Sequence, residues 1–561
     1  MSWTLYQKAR DRLARERGAI TKAFGGKLTF ALAYPNTYHV GMSNLGFQKV
    51  YALLNQDPEV LCERAFLPDP PDLAQHQQSQ VPLFSLESQT PLSKFEVVAF
   101  SLSFETDFLY VLKILELARI PLKTEERAEH HPLVVCGGIA ATFNPEPLAA
   151  FVDLFLIGEG EAILPGFLSA LKQSQEGGEG HEAFLQRLAT CPGVYVPSAY
   201  QVRYHPDGRI EEMIPQPGFP ATIQKWWLKD LDSSPTASVI LTPDTEFSQI
   251  YLVEVSRGCS RRCHFCVAGH SYQPLRFYRT DTLRAQIAQG LAQTRKIGLV
   301  GVALTEIPGL LSLCQEIVAQ GGQVCPASLR MEGISPPLME LLAAGGQRAV
   351  ALAPEAGTER LRRMIRKNFS EEEIVEKVSI SLQGGIAHFK LYFLVGLPTE
   401  GPEDVEAIVE LTKKIQHIAR KSGQSRRRPW TIQLSINPFV PKPFTPFQWE
   451  PMEEVRSLQA KLKAIKGGLA KVGQVQVFHD GPKWSFVQAL LSRGDRRVGD
   501  LLYAAHRLGG DWYRAFREVN LNPEFYVYRP REEEEHFPWD HLDLGVSKRH
   551  LLAERKRTFS P

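Results

Sequence analysis

Three cysteines stand in one short stretch, SRGCSRRCHFC at 256–266, as Cys259, Cys263 and Cys266. Their spacing is C-x3-C-x2-C. A structural zinc site wants four closed ligands, usually in two pairs, and no second Cys/His pair of that spacing follows. His264 and His270 are near, but His264 points away if Cys263 and Cys266 converge. A redox C-x2-C pair leaves Cys259 without a task. Three unligated thiols in one loop would oxidise readily. A [4Fe–4S] cluster held by three thiolates leaves one iron open to a further ligand. Arg257, Arg261 and Arg262 can offset the negative charge of such a cluster.

The elements around the stretch must hold it at a site. It follows IYLVEVS (250–256), the first of six apolar runs. The others are GLVGVALT (298–305), QVCPASLR (323–330), RAVALAPE (348–355), HFKLYFLVG (388–396) and TIQLSINPF (431–439), with helical patterns between them. Six β/α units predict a partial or full (β/α) TIM-type barrel over 249–451, with its chemistry at the carboxyl ends of the strands. The cysteines follow the first strand, where the mouth should be.

Upstream, KLTFALA (27–33), FEVVAFSLS (95–103), PLVVCGG (132–138) and VDLFLIGEGE (152–161) alternate with helical stretches. They predict a Rossmann-like parallel sheet over 27–199, so the chain is α/β. Ligands of such sheets sit at the carboxyl ends of the strands. The loops there offer Tyr38, Gly41 and Ser43, then Ser101 and Ser103, then Gly137 and Gly138, and later Glu159 as cofactor-binding candidates. Residues 1–26 read as an N-terminal helix docked on the surface, 200–248 as an ordered connector with Trp226 and Trp227, and 452–561 as mainly helical.

Bulk properties bound the rest. A chain of 561 residues is too long for one core. Its 43% hydrophobic and 22% charged content is globular, and a net charge of +2 does not mark a dedicated nucleic-acid binder. No apolar run reaches the roughly 18 residues that a membrane helix needs, and the N-terminus lacks the apolar core of a signal peptide. Cys62, Cys136, Cys191, Cys314 and Cys325 are scattered, as expected of free thiols in a reducing cytoplasm.

C-x3-C-x-Φ-C, with Phe265 as the aromatic, resembles the radical S-adenosylmethionine (SAM) superfamily. The resemblance implies that the open iron binds the amino and carboxylate groups of SAM. One electron then cleaves SAM to methionine and a 5′-deoxyadenosyl radical. It points to Thr305 and Glu306 for the SAM amino group, although VALTEIPG lacks the usual Gly-Gly-Glu. Ser328 and Arg330 end the third strand, where an Arg could hold the SAM carboxylate. Glu355 ends the fourth and is expected to contact SAM, at its ribose, before a helix opened by Gly357 and Thr358 whose N-terminus could meet a polar ligand. VGLPTEGPEDVEAI (395–408) resembles the superfamily's GxP segment near adenine.

The amino-terminal domain resembles the cobalamin-binding domain found ahead of many such barrels, through VVCGGIAATFNPEP (134–147) and VDLFLIGEGE. Cobalamin mutases and methionine synthase carry Asp-x-His-x-x-Gly, whose His ligates cobalt. In YPNTYHVGMSNLG (34–46) the Asp is absent and His39 precedes Gly41 by two residues, so His39 is not assigned as a ligand. The whole chain resembles a group of cobalamin-domain radical SAM proteins through CERAFLPD (62–69), PLFSLES (82–88), APEAGTERLR, FVPKPFTPFQW (439–449), LLSRGDRR and FPWDHLDLGVSK. Lys442 is expected to reach the barrel mouth and meet an anion, unless the prolines around it merely stiffen a docking loop. The basic stretch RKSGQSRRRPW (420–430) reads as a solvated loop, with RNA contact the minority view.

The expectation is an enzyme with a [4Fe–4S] cluster, SAM and cobalamin that methylates an unactivated carbon. The alternatives are radical rearrangement or ring formation with or without cobalamin, and RNA modification of the methylthiotransferase kind. The expected partners are a small-molecule, RNA or peptide substrate and a reductase such as flavodoxin or ferredoxin. No membrane contact and a cytoplasmic location are expected.

Overall fold

The computed structural model describes residues 2–177, 181–326, 329–422 and 430–559. Ser328 and most of the basic stretch 420–430 lie outside them.

The amino-terminal sheet contains β1 (Leu28–Tyr34), β2 (Val60–Phe66), β3 (Val97–Ser101), β4 (Leu133–Gly137), β5 (Leu154–Leu156) and β6 (Val194–Tyr195). Its order is β2-β1-β3-β4-β5-β6; the first five strands are parallel and β6 is antiparallel. Every residue of β1 and β2 is buried, as helices on both faces require. The chain passes from β1 to β2 on one side and returns to β3 on the other. Their carboxyl ends therefore flank a topological switch point, the usual crevice for a ligand. Asn44 in the first loop donates to the Ser103 hydroxyl in the second at 2.9 Å, joining the two sides of that crevice.

The first helix stops at Ala14, and the chain then runs extended. Glu16 enters the core of the amino-terminal domain, where Arg64 meets both Glu16 (2.6 Å) and Glu87 (2.7 Å) with no exposed surface on any of the three side chains. The connector holds a hairpin, Tyr200–Tyr204 with Ile210–Pro215, that its weak periodicity does not predict.

The second unit has seven parallel strands in two sheets. β7 (Tyr251–Glu254), β8 (Lys296–Val300) and β9 (Gln323–Pro326) form one. β10 (Ala349–Glu355), β11 (His388–Val395), β12 (Thr431–Pro438) and β13 (Val475–His479) form the other. No backbone pairing joins β9 to β10 among the described residues, so the barrel is partial. β13 is a strand within the mainly helical stretch 452–561 that the sequence reading did not pick out. Its alternating half-buried and exposed residues, VQVFH, lack the apolar run that marks the other strands. The remaining C-terminal elements are mainly helical and clamp both units together. Asn144 donates to Ser492 O and Gly494 O at 3.1 and 2.7 Å, and Arg496 pairs with buried Glu146 at 2.9 Å.

Candidate active site

The cysteine loop leaves β7 and is closed at its base by a two-residue ladder, Ser256–Arg257 against Arg276–Phe277. Gly258 has φ +99°, and a Cβ there would lie 2.3 Å from Tyr272 O, so only glycine fits the start of the loop. Phe265 packs beneath the mouth on an apolar cluster that includes Ala356, Leu397 and Phe439, just beyond the ends of β10, β11 and β12, and Phe447 of the following loop. It anchors the loop, which is a packing role for the motif's aromatic.

Donors are aimed at the sulfurs. Arg330 donates to Cys259 Sγ at 2.7 Å, and the Arg261 backbone N–H does so at 3.5 Å. The backbone N–H groups of Ala268 and Gly269 stabilise the Cys266 thiolate, while burial pushes its thiol up overall. Burial also pushes the Cys263 thiol up, to about 11, against the pull of Lys367. Buried thiols supplied with N–H donors suit thiolates neutralised by bound iron. No three described His, Cys, Asp or Glu side chains converge as ligands of a single ion would. A cluster fits this arrangement, because each thiolate takes its own iron. His264 is turned away, with Nδ1 2.8 Å from Met364 O.

The arginines divide their roles differently from the expectation. Arg257 is held by Glu159 (2.9 Å), Glu161 (2.9 Å) and Glu254 (2.6 Å), so its charge is spent on carboxylates. Arg261 turns to Glu306 and Glu332, each at 3.3 Å, and Arg262 is exposed. Arg330, two loops away in sequence, is the cation on a cysteine sulfur, and it also pairs with Glu306. Ser260 donates to both Glu306 oxygens at 2.9 and 2.7 Å. Cys259, Glu306 and Arg330 thus form one group at the mouth. Thr305 does not join it, because its side chain fills the space over Gly333.

Glu355 is brought to the same mouth. It has φ +68°, rare for a residue with a Cβ, at an irregular end of β10. Burial pushes its carboxyl up against the counter-charge of Lys367, whose Nζ is 3.6 Å away. The helix after it offers no open N-terminus. Thr358 caps it and bonds to Asp404, while Arg362 donates to the Ala356 and Gly357 carbonyls.

A second space opens at the switch point of the amino-terminal sheet. A cavity of about 510 Å³ lies there and reaches Leu252, Glu254 and Val300 of the barrel strands. Ser43, Ser101, Ser103, Gly137, Gly138 and Glu159 line it, together with Asn44, Lys49, Glu161 and Tyr272, which sequence reasoning missed. Glu161 was visible as the partner of Glu159 in GEGE. Tyr272 belongs to the other unit, so nothing local marks it. Tyr38 and Gly41 are not on this wall. Tyr38 donates to Glu16 at 2.5 Å, and Gly41 lies under the Phe66 ring. Burial pushes the Glu159 carboxyl up, but the hydrogen bond from Arg276 and the charge of Arg257 outweigh it, and the net shift is below the ordinary range. His39 faces out toward Glu246 at 3.7 Å.

Lys442 does not stand free at the mouth. It pairs with Glu105 in the loop after β3, whose other oxygen accepts from Gln488 at 3.1 Å. Burial alone would raise the Glu105 carboxyl, but Lys442 leaves it below the ordinary range. Nearby Asp107 lacks such a cation. Burial pushes it up to about 7, and its Oδ2 has no hydrogen-bond partner.

The profile of the radical SAM superfamily matches residues 253–412, which hold this loop and its mouth. A second profile, of the N-terminal region of radical SAM proteins, matches 46–197. The chain belongs to the radical SAM superfamily. That membership makes the [4Fe–4S] cluster and SAM the cofactors of the barrel, with Cys259, Cys263 and Cys266 as the motif cysteines. An uncharacterized protein of Methanocaldococcus jannaschii is 27% identical over 84% of this chain and 90% of its own length. An uncharacterized methyltransferase of Pyrococcus horikoshii is 21% identical over 52% of this chain and 60% of its own. A tRNA-2-methylthio-N(6)-dimethylallyladenosine synthase of Sorangium cellulosum is 27% identical over 34% and 44%. Among solved structures, the cobalamin-dependent radical SAM enzyme OxsB aligns over 95% of this chain and 79% of its own at 12% identity and a TM-score of 0.49. The methyltransferase TsrM of Kitasatospora setae aligns over 73% of each chain at 15% identity and a TM-score of 0.44. Among the described residues no helix is long and apolar enough to cross a membrane.

Proposed function

We propose that this radical SAM enzyme binds cobalamin between its two α/β units and methylates an unactivated carbon. The observation that carries the reading is the cavity at the switch point, which runs from the amino-terminal sheet to the inner wall of the barrel. Its floor is apolar, with Phe30, Leu32, Leu54 and Phe167, and suits the flat base of a cofactor tail. Ser101 and Ser103 add hydroxyls to its lining, whereas the Ser43 hydroxyl is taken by His39 O at 2.6 Å and the Glu246 N–H at 2.9 Å. Among the described residues no His, Cys or Met lines the cavity, so these residues would hold cobalamin without a side-chain ligand to cobalt. Bound there, cobalamin would supply a transferable methyl group.

The chain's own residues have the matching tasks. Cys259, Cys263 and Cys266 would hold the cluster. Glu306 and Arg330 stand beside Cys259, where the amino and carboxylate groups of SAM would meet opposite charges. The methylthiotransferase alternative lacks support in the cysteines, since Cys62 and Cys136 are buried within β2 and β4 and no second triplet exists among the eight.

The test is anaerobic reconstitution. The iron-loaded protein should bind hydroxocobalamin with a changed visible spectrum and cleave SAM to 5′-deoxyadenosine under reductant. Cys259→Ala, Cys263→Ala and Cys266→Ala should each lose the iron absorbance and the cleavage. A filled cluster that never cleaves SAM would sink the radical chemistry, and a protein indifferent to hydroxocobalamin would sink methyl transfer through cobalt.

A further inference from the structure

The cysteine loop has a second, outward side. Cys263 Sγ lies 3.8 Å from the backbone oxygen of Arg366, and the Arg366 guanidinium is 43% exposed. One residue therefore spans from a cluster-binding thiol to solvent. The surface around it is cationic. Arg262, next to Cys263, is exposed. Arg363, three residues before Arg366, is 71% exposed, and Arg557 of the last helix is 76% exposed. His550 and Arg262 border one cleft of about 300 Å³ between the loop and the C-terminal region.

Two carboxylates, Glu554 and Glu359, answer part of the charge of these four arginines. Glu554, at the centre, is 10% exposed and lies beneath Arg366 (2.9 Å), Arg557 (2.7 Å) and His264 (3.8 Å). Glu359 is taken up by Arg363 at 3.0 Å on its own helix. The excess of exposed cations is local, because the chain as a whole carries a formal charge of only +2. A compact basic patch over a single loop favours a small acidic partner, whereas a nucleic acid would need a track of charge along its backbone.

We propose that this face docks an acidic one-electron donor protein. The proposal rests on the radical reading, in which each SAM cleaved consumes one electron. The docked donor loses one electron and the cluster gains it, with no bond made or broken. Proximity to Cys263 is what this partner requires and what other acidic partners would not.

The test uses the iron-loaded full chain, reduced flavodoxin as the donor, and Arg363→Glu with Arg557→Glu as a double variant. Both side chains are solvent-facing, so the fold should survive. Loss of the cluster's visible absorbance reports its reduction, and calorimetry reports flavodoxin binding. Charge reversal should slow reduction by flavodoxin roughly tenfold or more, weaken binding, and flatten the salt dependence seen in the parent protein. Reduction by the methyl viologen cation radical should not slow. An unchanged flavodoxin rate would overturn the proposal, as would equal slowing with viologen, which would mean a disturbed loop. Binding of single-stranded RNA to the parent protein that the double variant loses, with flavodoxin reduction intact, would also overturn it and make the patch a nucleic-acid surface. If flavodoxin reduces the cluster through this face and SAM is still not cleaved, the docking surface stands and the radical reading falls.

Discussion

At the scale of single residues, Arg330 makes the most consequential contact. Its guanidinium touches Cys259 Sγ and also pairs with Glu306. Hydrogen bonds to charged groups are each worth about 1.5–3 kcal/mol. Arg330→Ala should therefore leave the iron content intact and lower kcat/KM for SAM cleavage by roughly 10- to 100-fold. Equal activity with equal iron would remove Arg330 from the site. Asp107 permits a pH prediction. Its carboxyl titrates at about 7 in the folded chain, far above its usual range, because burial penalises the charged form. The folded state is favoured while Asp107 is protonated, and that advantage is lost as pH rises through about 7. Asp107→Asn, which can keep the bond from Asn36, should melt higher than the parent at pH 8. The difference should shrink toward pH 5 in melting curves.

At the scale of elements, short segments are held in place by buried charge. The extended piece after the first helix puts Glu16 on Arg64 and Tyr38, three groups that the sequence scatters over nearly fifty positions. Breaking a buried ion pair leaves a charge without its partner, which costs roughly 3–5 kcal/mol. Glu16→Ala should therefore destabilise the amino-terminal unit by about 3 kcal/mol in urea unfolding. Retained stability would mean that Glu87 alone satisfies Arg64. The cysteine loop depends in the same way on Gly258, where an added Cβ meets Tyr272 O. Gly258→Ala should reduce iron loading without abolishing the fold, as followed by iron content and circular dichroism.

At the scale of the whole molecule, the two α/β units meet across a web of charge. From one unit, Glu159 holds Arg257 and Arg276 of the other, and Glu161 also holds Arg257, two residues before the first cysteine. Arg276 also lies over Trp227 of the connector at 4.8 Å, so the connector is part of the joint. The cavity borders this web. A ligand that binds the folded chain alone raises its melting temperature with concentration. Hydroxocobalamin should do so for the parent protein, and Leu54→Trp, which fills the cavity floor, should abolish the rise. A rise that survives the filling would place cobalamin elsewhere.

Much of this was legible without coordinates because it is local. Ligand spacing, strand periodicity and strand-end glycines act within a dozen residues. They were enough for the α/β class, the motif cysteines, and the loops that hold Ser43, Ser101, Ser103, Gly137 and Gly138. Tyr38 was misplaced because a one-residue rotation of a short helix decides whether a side chain faces a ligand or the core. Lys442 found Glu105, and Arg257 found Glu159 and Glu161, across gaps of roughly one hundred residues or more. Charge partners at that range are chosen by how the units pack, since a buried charge must take the opposite charge that packing brings near. The sequence by itself determined that a three-thiolate loop follows a barrel strand. Only the tertiary structure decided that Arg330 guards Cys259, that one cavity joins the two units, and that the back of the cysteine loop reaches a basic surface.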